Sequence, residues 1–475
     1  MRVLIVSAEV APFAKVGGLA DVAAALPRAL AELGVKVAIV MPKYRGVEGK
    51  AELEEVSRFS VPVRGEDKEC VTFRGRLPGC EVPVYFLGHD PYFDREQIYG
   101  EGGGDYPDSL ERFTFLSRGT LALAEYLDLS PDVVHVNDWH TALVPVYLAA
   151  GLGPRGAKTV LTIHNLAYQG VFPWEQKGVL GLREEHLCLL EHEGKLNLLK
   201  GGILSADLLT TVSPSYAQEI LERGEGLEEY LGARKKDLAG VLNGVDYSVW
   251  NPETDPHLWA NYSAEDLSGK AENKQRLQEE LGLEPDPRAP LVGMISRLAE
   301  QKGFDLVMEA FDRMMALGIQ FVLLGTGDPR YEAFFREAAG RYRGRAAALI
   351  TFSEEWAHRI EAASDIFLMP SRFEPCGLNQ MYSLRYGTVP VARATGGLAD
   401  TVREYDPERD EGNGFTFEEY TPEAVLSALR RAVDLYLRDP EAWRRLQVRG
   451  MREDHSWQAS ALKYLTLYRR LASGS

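Results

Sequence analysis

The chain has 475 residues but only four cysteines, Cys70, Cys80, Cys188 and Cys376, scattered with no CxxC pair. That spacing argues against a disulfide framework or a structural zinc site and points to a reducing compartment. An excess of positive charge is also missing. The 53 Lys and Arg face 70 Asp and Glu, a net charge of −17, which disfavours nucleic-acid or anionic-membrane binding through overall charge. Any anionic ligand must therefore be held by a local group of cations. Long apolar runs are absent as well. The N-terminus enters Val3 to Val6 at once, yet Glu9 and Lys15 interrupt it before signal or membrane-spanning length. The expectation is a soluble, cytoplasmic protein.

What the chain does have is alternation. With 45% apolar and 26% charged residues it can build packed cores, and its length suits two or three domains at about 100 to 200 residues each. Short apolar runs recur, each followed by a stretch of helical periodicity, the pattern of doubly wound α/β folds. In the first half the buried-strand candidates are Val3 to Val6, Val35 to Met41, Val82 to Leu87, Val133 to Val136, Thr159 to Ile163 and Leu208 to Val212. In the second half they are Leu291 to Ile295, Gln320 to Leu324, Ala347 to Phe352, Asp365 to Met369 and Thr388 to Ala392. Between them, Asn243 to Pro290 is polar, holds no convincing buried strand and is read as a hinge. The economical arrangement is two Rossmann-like domains facing a cleft, 1–242 and 243–455, with strand C-terminal ends supplying the site. The tail, Pro440 to Ala472, reads as two helices, and the helix in 456–475 is expected to pack back on the first domain. Gly17 to Asp21 (GGLAD) recurs as Gly396 to Asp400, and Gly100 to Asp108 (GEGGGDYPD) reads as a flexible loop.

Several strand ends carry chemistry. Lys15, Val16, Gly17 and Gly18 bring a cation and helix-start N–H groups to one point, which suits a phosphate; a plain βα turn is the alternative. The dinucleotide fingerprint is missing there, and the formal GxGxxG at Gly151 to Gly156 precedes a strand instead of following one. Arg297 and Lys302 flank the loop after the second domain's first strand, where two cations suit a diphosphate or are merely a surface pair. Gly325 and Gly327 follow another strand, and Gly377 follows Glu374, Pro375 and Cys376 before a further helix, permitting close backbone approach to a ligand. His164 and Asn165 end one strand, while Asp138, Trp139 and His140 follow another. His186, Cys188 and His192 sit on a helix with no matching carboxylate set, which argues against a metal site.

On these segments together the chain resembles the bacterial glycogen synthases and plastid starch synthases over essentially its whole length. The segments are KVGGLADV (Lys15 to Val22), YG with DYPD (Tyr99 to Asp108), NDWH (Asn137 to His140), TIHNLAYQG (Thr162 to Gly170), NGVD (Asn243 to Asp246), SRL with QKG (Ser296 to Gly303), SRFEPCGL (Ser371 to Leu378) and TGGLADTV (Thr395 to Val402). The resemblance implies a GT-B fold and a retaining glucosyltransferase. Such an enzyme moves glucose from ADP-glucose, with UDP-glucose the open alternative, to the non-reducing 4-OH of an α-1,4-glucan such as glycogen. It also implies no metal and no other cofactor, and no nucleic-acid or membrane partner. By resemblance, Lys15, Gly18, Arg297 and Lys302 hold the diphosphate. Glu374 is the essential glutamate beside the donor sugar, His164, Asp138 and Asn243 are sugar-side positions, and Gly377 with Leu378 supplies backbone contacts. Gly17, Asp21, Gly325, Gly327, Cys376 and Asn379 complete the nucleotide-sugar set, with Phe352 standing where an adenine-stacking aromatic, often tyrosine, is expected. Asn379 stands where many relatives carry threonine. Domain closure on the donor is a further expectation. The competing readings are another GT-B glucosyltransferase or a nucleotide-sugar epimerase, and a non-catalytic glucan-binding protein. No segment resembles the pyridoxal phosphate site of glycogen phosphorylase, and the missing ribose carboxylate demotes an NAD-linked dehydrogenase.

Overall fold

A computed structural model describes residues 1–101 and 104–473; Gly102 and Gly103 of the glycine-rich loop lie outside the described residues. The chain folds as two compact units, Met1–Gly244 with the helix Trp457–Ser473, and Val245–Ser456.

Among the described residues the first unit is built on a sheet of nine strands: β1 (Arg2–Val6), β2 (Lys36–Pro42), β3 (Glu54–Val63), β4 (Glu66–Arg76), β5 (Pro83–Gly88), β6 (Val133–Asn137), β7 (Lys158–Ile163), β8 (Leu208–Thr211) and β9 (Leu238–Gly240). Their order is β9-β8-β7-β6-β1-β2-β5-β4-β3. The pairs from β9 through β5 are parallel, whereas β5–β4 and β4–β3 are antiparallel. β1 sits at the centre and its Val3, Leu4, Ile5 and Val6 are all buried, which is why it reads as an unbroken apolar run. The β3–β4 hairpin was not foreseen. Its strands alternate exposed and buried positions and carry Glu54, Glu55, Arg58, Glu66, Asp67 and Lys68, so they lack that run. Arg64 and Gly65, both at positive φ, make the two-residue turn that suits strand twist.

The C-terminal helix packs into this first unit. Gln458 Nε2 donates to Glu32 Oε2 (2.9 Å), Ser460 Oγ to Leu242 O (2.7 Å), and the Tyr468 hydroxyl is hydrogen-bonded to His135 Nδ1 on β6 (2.6 Å).

The second unit holds β10 (Leu291–Ile295), β11 (Gln320–Leu324), β12 (Ala346–Leu349), β13 (Ile366–Met369), β14 (Val389–Arg393) and β15 (Phe415–Phe417) in the order β12-β11-β10-β13-β14-β15. All pairs are parallel. Phe304, Phe311, Phe321, Phe335, Trp443 and Leu446 fill the core on one face. β12 stops at Leu349, three residues before the expected Phe352.

The polar segment read as a hinge is, from Val245 onward, part of the second unit. Several of its polar side chains, Asp255, Lys270, Asn273, Lys274 and Gln278, are buried and paired. Asp255 Oδ2 accepts from the Tyr386 hydroxyl (2.6 Å) and lies 2.7 Å from His358 Nδ1. Lys274 Nζ donates to Asp365 Oδ2 (2.6 Å), Ala289 O (2.7 Å) and Tyr436 Oη (2.9 Å), and Asp365 Oδ2 also accepts the Leu291 N–H that begins β10 (2.9 Å). Removing the cation strands a buried carboxylate. Lys274→Met is expected to cost about 3 kcal/mol of stability, read as a lower urea midpoint; an unchanged midpoint contradicts the role.

Candidate functional site

In the first unit the site grows from the C-terminal end of β1. Three residues beyond it, the Glu9 carboxylate is buried and accepts the N–H groups of Val16 (2.6 Å) and Gly17 (2.9 Å) through Oε2, while Oε1 accepts the Tyr99 hydroxyl (2.5 Å). The Lys15 loop is therefore pinned by an internal anion. Sequence reasoning missed Glu9, although a carboxylate just past a buried central strand was the available signal. Lys15 Nζ pairs with Asp21 Oδ1 at 2.8 Å, both side chains about half exposed.

A Cβ added to Gly17 or Gly18 meets no atom of the protein within 4 Å, and neither residue has positive φ. Neither packing nor backbone strain requires glycine at these positions, which removes the main argument for a plain turn.

The Tyr99 ring stacks on His140 (4.8 Å), and His140 lies against Trp139 (4.0 Å). Trp139 in turn explains Gly170. That residue has φ +65°, and a Cβ there falls 2.3 Å from the indole. Next to them Asp138 adopts φ +55°, and its Oδ1 accepts the His164 N–H at 2.7 Å. Burial pushes the Asp138 carboxyl up to about 7, opposed by the N–H groups of His164 and Asn165. Burial also pushes the His164 imidazole down to about 4. Asn137 Nδ2 donates to Val6 O (3.1 Å), so its Oδ1 accepts from His164 Nε2 (2.9 Å) and the imidazole's other nitrogen, Nδ1, holds the lone pair. Asn243 is buried, and its Oδ1 has no hydrogen-bond partner among the described residues.

In the second unit, Arg297, Lys302, Ser371, Glu374, Gly377, Leu378 and Asn379 line one cavity of about 210 Å³. Lys302 Nζ donates to Glu374 Oε2 at 2.6 Å, and Ser371 Oγ donates to the same oxygen at 3.1 Å. Asn379 Nδ2 donates to Ile295 O (2.6 Å), tying its helix to the end of β10, two residues before Arg297.

Four expected binding positions stand apart from that cavity. Gly325 and Gly327 approach the protein's own chain: a Cβ there falls 1.9 Å from Ser296 O and 2.2 Å from Leu298 O. They seat the Arg297 loop and are absent from the cavity wall. Cys376 is buried and is not on the cavity wall, and its carbonyl accepts Gln380 Nε2 at 3.0 Å. Phe352 is 91% exposed and lies outside the cavity wall, beyond the end of β12.

The GGLAD echo hides a difference in cause. A Cβ on Gly396 falls 2.0 Å from Glu374 O and one on Gly397 falls 1.9 Å from Cys376 O, while the Gly397 N–H donates to Glu374 O (3.0 Å). These glycines clamp the Glu374 loop, unlike the open pair at Gly17 and Gly18.

Two α/β units built on largely parallel sheets, with cations, glycines and a carboxylate at their strand ends, define a GT-B glycosyltransferase. The starch synthase catalytic domain family matches residues 2–233, and the glycosyl transferases group 1 family matches residues 275–449. The glycogen synthase of Anaeromyxobacter dehalogenans (strain 2CP-C) is 51% identical over 99% of this chain and all of its own. That of Thermotoga maritima is 48% identical over 99% of both. The catalytic domain of starch synthase IV from Arabidopsis thaliana, bound to ADP and acarbose, superposes with a TM-score of 0.88 at 38% identity over 99% of each chain. Sucrose-phosphate synthase from Thermosynechococcus elongatus shares the fold alone, with a TM-score of 0.62 at 20% identity over 100% of each chain. The chain belongs to the glycogen synthase family. Among the described residues no helix is long and apolar enough to cross a membrane, and no group of three or more His, Cys, Asp or Glu is placed to hold a metal ion.

Two outcomes are expected. Gly397→Ala forces the Glu374–Cys376 backbone aside and is expected to lower turnover about tenfold or more, at a stability cost of about 1–3 kcal/mol; wild-type turnover contradicts the clamp. The folded His164 pKa lies below the ordinary 6.5, so its neutral form is favoured by the fold. Its contribution to stability is complete above pH 6.5 and drains away as pH falls toward 4. Histidine NMR is expected to show this ring titrating near 4, and a midpoint near 6.5 overturns the assignment.

Proposed function

We propose that the protein transfers glucose from ADP-glucose to the non-reducing 4-OH of an α-1,4-glucan, lengthening glycogen and releasing ADP. The observation that carries this reading is the single cavity joining Arg297, Lys302 and Glu374 with the Gly377–Leu378 turn. Breaking the bond between the glucose anomeric carbon and the phosphate oxygen leaves negative charge on ADP and positive charge on the sugar. Arg297 and Lys302 serve the first, and the Glu374 carboxylate serves the second. With two cations and backbone N–H groups supplying the positive charge, the reading calls for no divalent metal.

Lys15, Gly17 and Gly18 are assigned to phosphate binding on the first unit, with Asp21 holding Lys15 in place until a ligand competes for it. His164, Asp138 and Asn243 are assigned to the sugar. A neutral His164 accepts a hydroxyl hydrogen bond at Nδ1, and the unpartnered Asn243 Oδ1 accepts another. Phe352 offers an exposed face for the base. Lacking a hydroxyl, it contributes stacking alone, and ADP-glucose is preferred over UDP-glucose on resemblance. The transfer retains configuration: the acceptor oxygen attacks from the face the phosphate leaves, the new C1–O4 bond forms, and the acceptor proton passes to the departing phosphate. A cytoplasmic setting accords with this chemistry.

The test incubates the purified protein with ADP-glucose and a maltooligosaccharide in EDTA and follows ADP release and oligosaccharide length together, with UDP-glucose in parallel. Elongation in EDTA, faster with ADP-glucose, is the expected result; nucleotide release without elongation contradicts the acceptor, and silence with both donors contradicts the transfer. Glu374→Gln is expected to lower turnover by a factor of about 100 or more while circular dichroism stays unchanged. Gly18→Ala has room in the protein and is expected to fold at least as stably as the wild type, yet to raise the KM for the donor. An unchanged KM removes the phosphate role.

A further inference from the structure

A second basic site lies in the second unit, on the helix Pro440–Met451. Arg445, Arg449 and the C-cap residue Arg452 follow at spacings of four and three, with Arg444 beside them, and the four line a shallow cavity of about 730 Å³ together with Glu441, Val448 and Glu453. It shares no lining residue with the donor cavity. In a chain of net charge −17, three guanidinium groups on one helix and a fourth at its C-cap are conspicuous, and like charges three and four residues apart repel.

Their neutralisation is incomplete. Asp410 accepts from Arg445 Nε (2.6 Å) and from Arg449 Nη2 (3.0 Å), and Gly412 O accepts from Arg449 Nη1 (2.9 Å). One carboxylate thus steadies two arginines; among the described residues both terminal nitrogens of Arg445 make no hydrogen bond, although the Asp439 charge also acts on its guanidinium. Glu453, although on the cavity wall, is committed elsewhere: its oxygens accept Arg403 Nη2 and Asn413 Nδ2 and lie 3.1 Å from His455 Nε2. Among the described residues Arg452 reaches only Glu265 Oε1, at 3.4 Å, with both side chains well exposed. The charge of Arg444 acts on Asp266, whose carboxylate is already engaged by the Ser268 N–H (2.9 Å).

We propose that this face binds a phosphate-bearing small anion with two or more negative charges. Planar guanidinium forks match phosphate oxygens two at a time, and an anchored Arg445 flanked by Arg444 and by Arg452, whose 3.4 Å contact to Glu265 is long and exposed, offers several such pairs at once. A monovalent anion engages one fork only and gains little.

Calorimetric titration with inorganic pyrophosphate tests the site on three proteins: the wild type, R444Q/R452Q, and R297Q/K302Q, which disables the donor cavity. The expected result is that R297Q/K302Q keeps a pyrophosphate site and R444Q/R452Q weakens that site at least tenfold. Its unfolding temperature and its glucosyl transfer without pyrophosphate are expected to remain as in the wild type. The proposal is overturned if R444Q/R452Q binds pyrophosphate as the wild type does, or if R297Q/K302Q binds none, since all binding then belongs to the donor cavity. Neither reading depends on the chain being an active transferase, so failure here is separate from failure of the proposed reaction.

Discussion

Backbone approaching backbone more closely than any side chain allows is the constraint on which the second unit's site depends. Arg297 and Lys302 share the loop after β10 and Glu374 sits on the loop after β13, and both loops are seated by glycines against other stretches of chain. Gly325 and Gly327 press on Ser296 and Leu298, Gly303 on Pro370, and Gly396 and Gly397 on Glu374 and Cys376, with the added Cβ in every case falling within 2.2 Å of a carbonyl oxygen. The loops are thereby stacked as layers, and the cavity is the gap left between them. A cation and a carboxylate 2.6 Å apart need such a rigid frame, because two long side chains on mobile loops lose more in ordering than an ion pair returns.

The first unit solves the same problem differently. Its loop is held by side chains: Glu9 ties the Val16 and Gly17 amides to Tyr99, and Tyr99 rests on His140 beside Trp139 and Asp138. The chain of contacts links the Lys15 loop to Asp138 and His164 through aromatic stacking.

Much of this was legible in the sequence, and the exceptions have physical causes. Central strands such as β1 and β10 are buried on both faces and announce themselves as apolar runs. The β3–β4 hairpin and the short β9 and β15 do not, because one-faced or three-residue strands carry too few apolar positions to stand out. The segment beyond Val245 looked like a linker because composition cannot show whether Asp255 or Lys274 faces water or a partner. Site residues at strand ends were visible as types, yet the reason for each glycine was not. Gly17 and Gly397 sit in the same five letters, and only the chain folded against them separates an open position from a clamped one. Glu9 was overlooked because a carboxylate facing its own loop has no periodicity to betray it.

The Glu9 contact has a consequence for how the loop meets a ligand. A carboxylate already occupies the two amides at the loop's tip, so the loop is ordered by folding and an arriving anion does not have to arrange it. The same carboxylate repels that anion from those two donors. The helix beginning at Gly18 leaves its earliest N–H groups unclaimed by its own turns, and Gly18 and Leu19 carry the first of them. Glu9 acts as a built-in stencil, blocking part of the positive end of the helix and leaving an opening one residue further along.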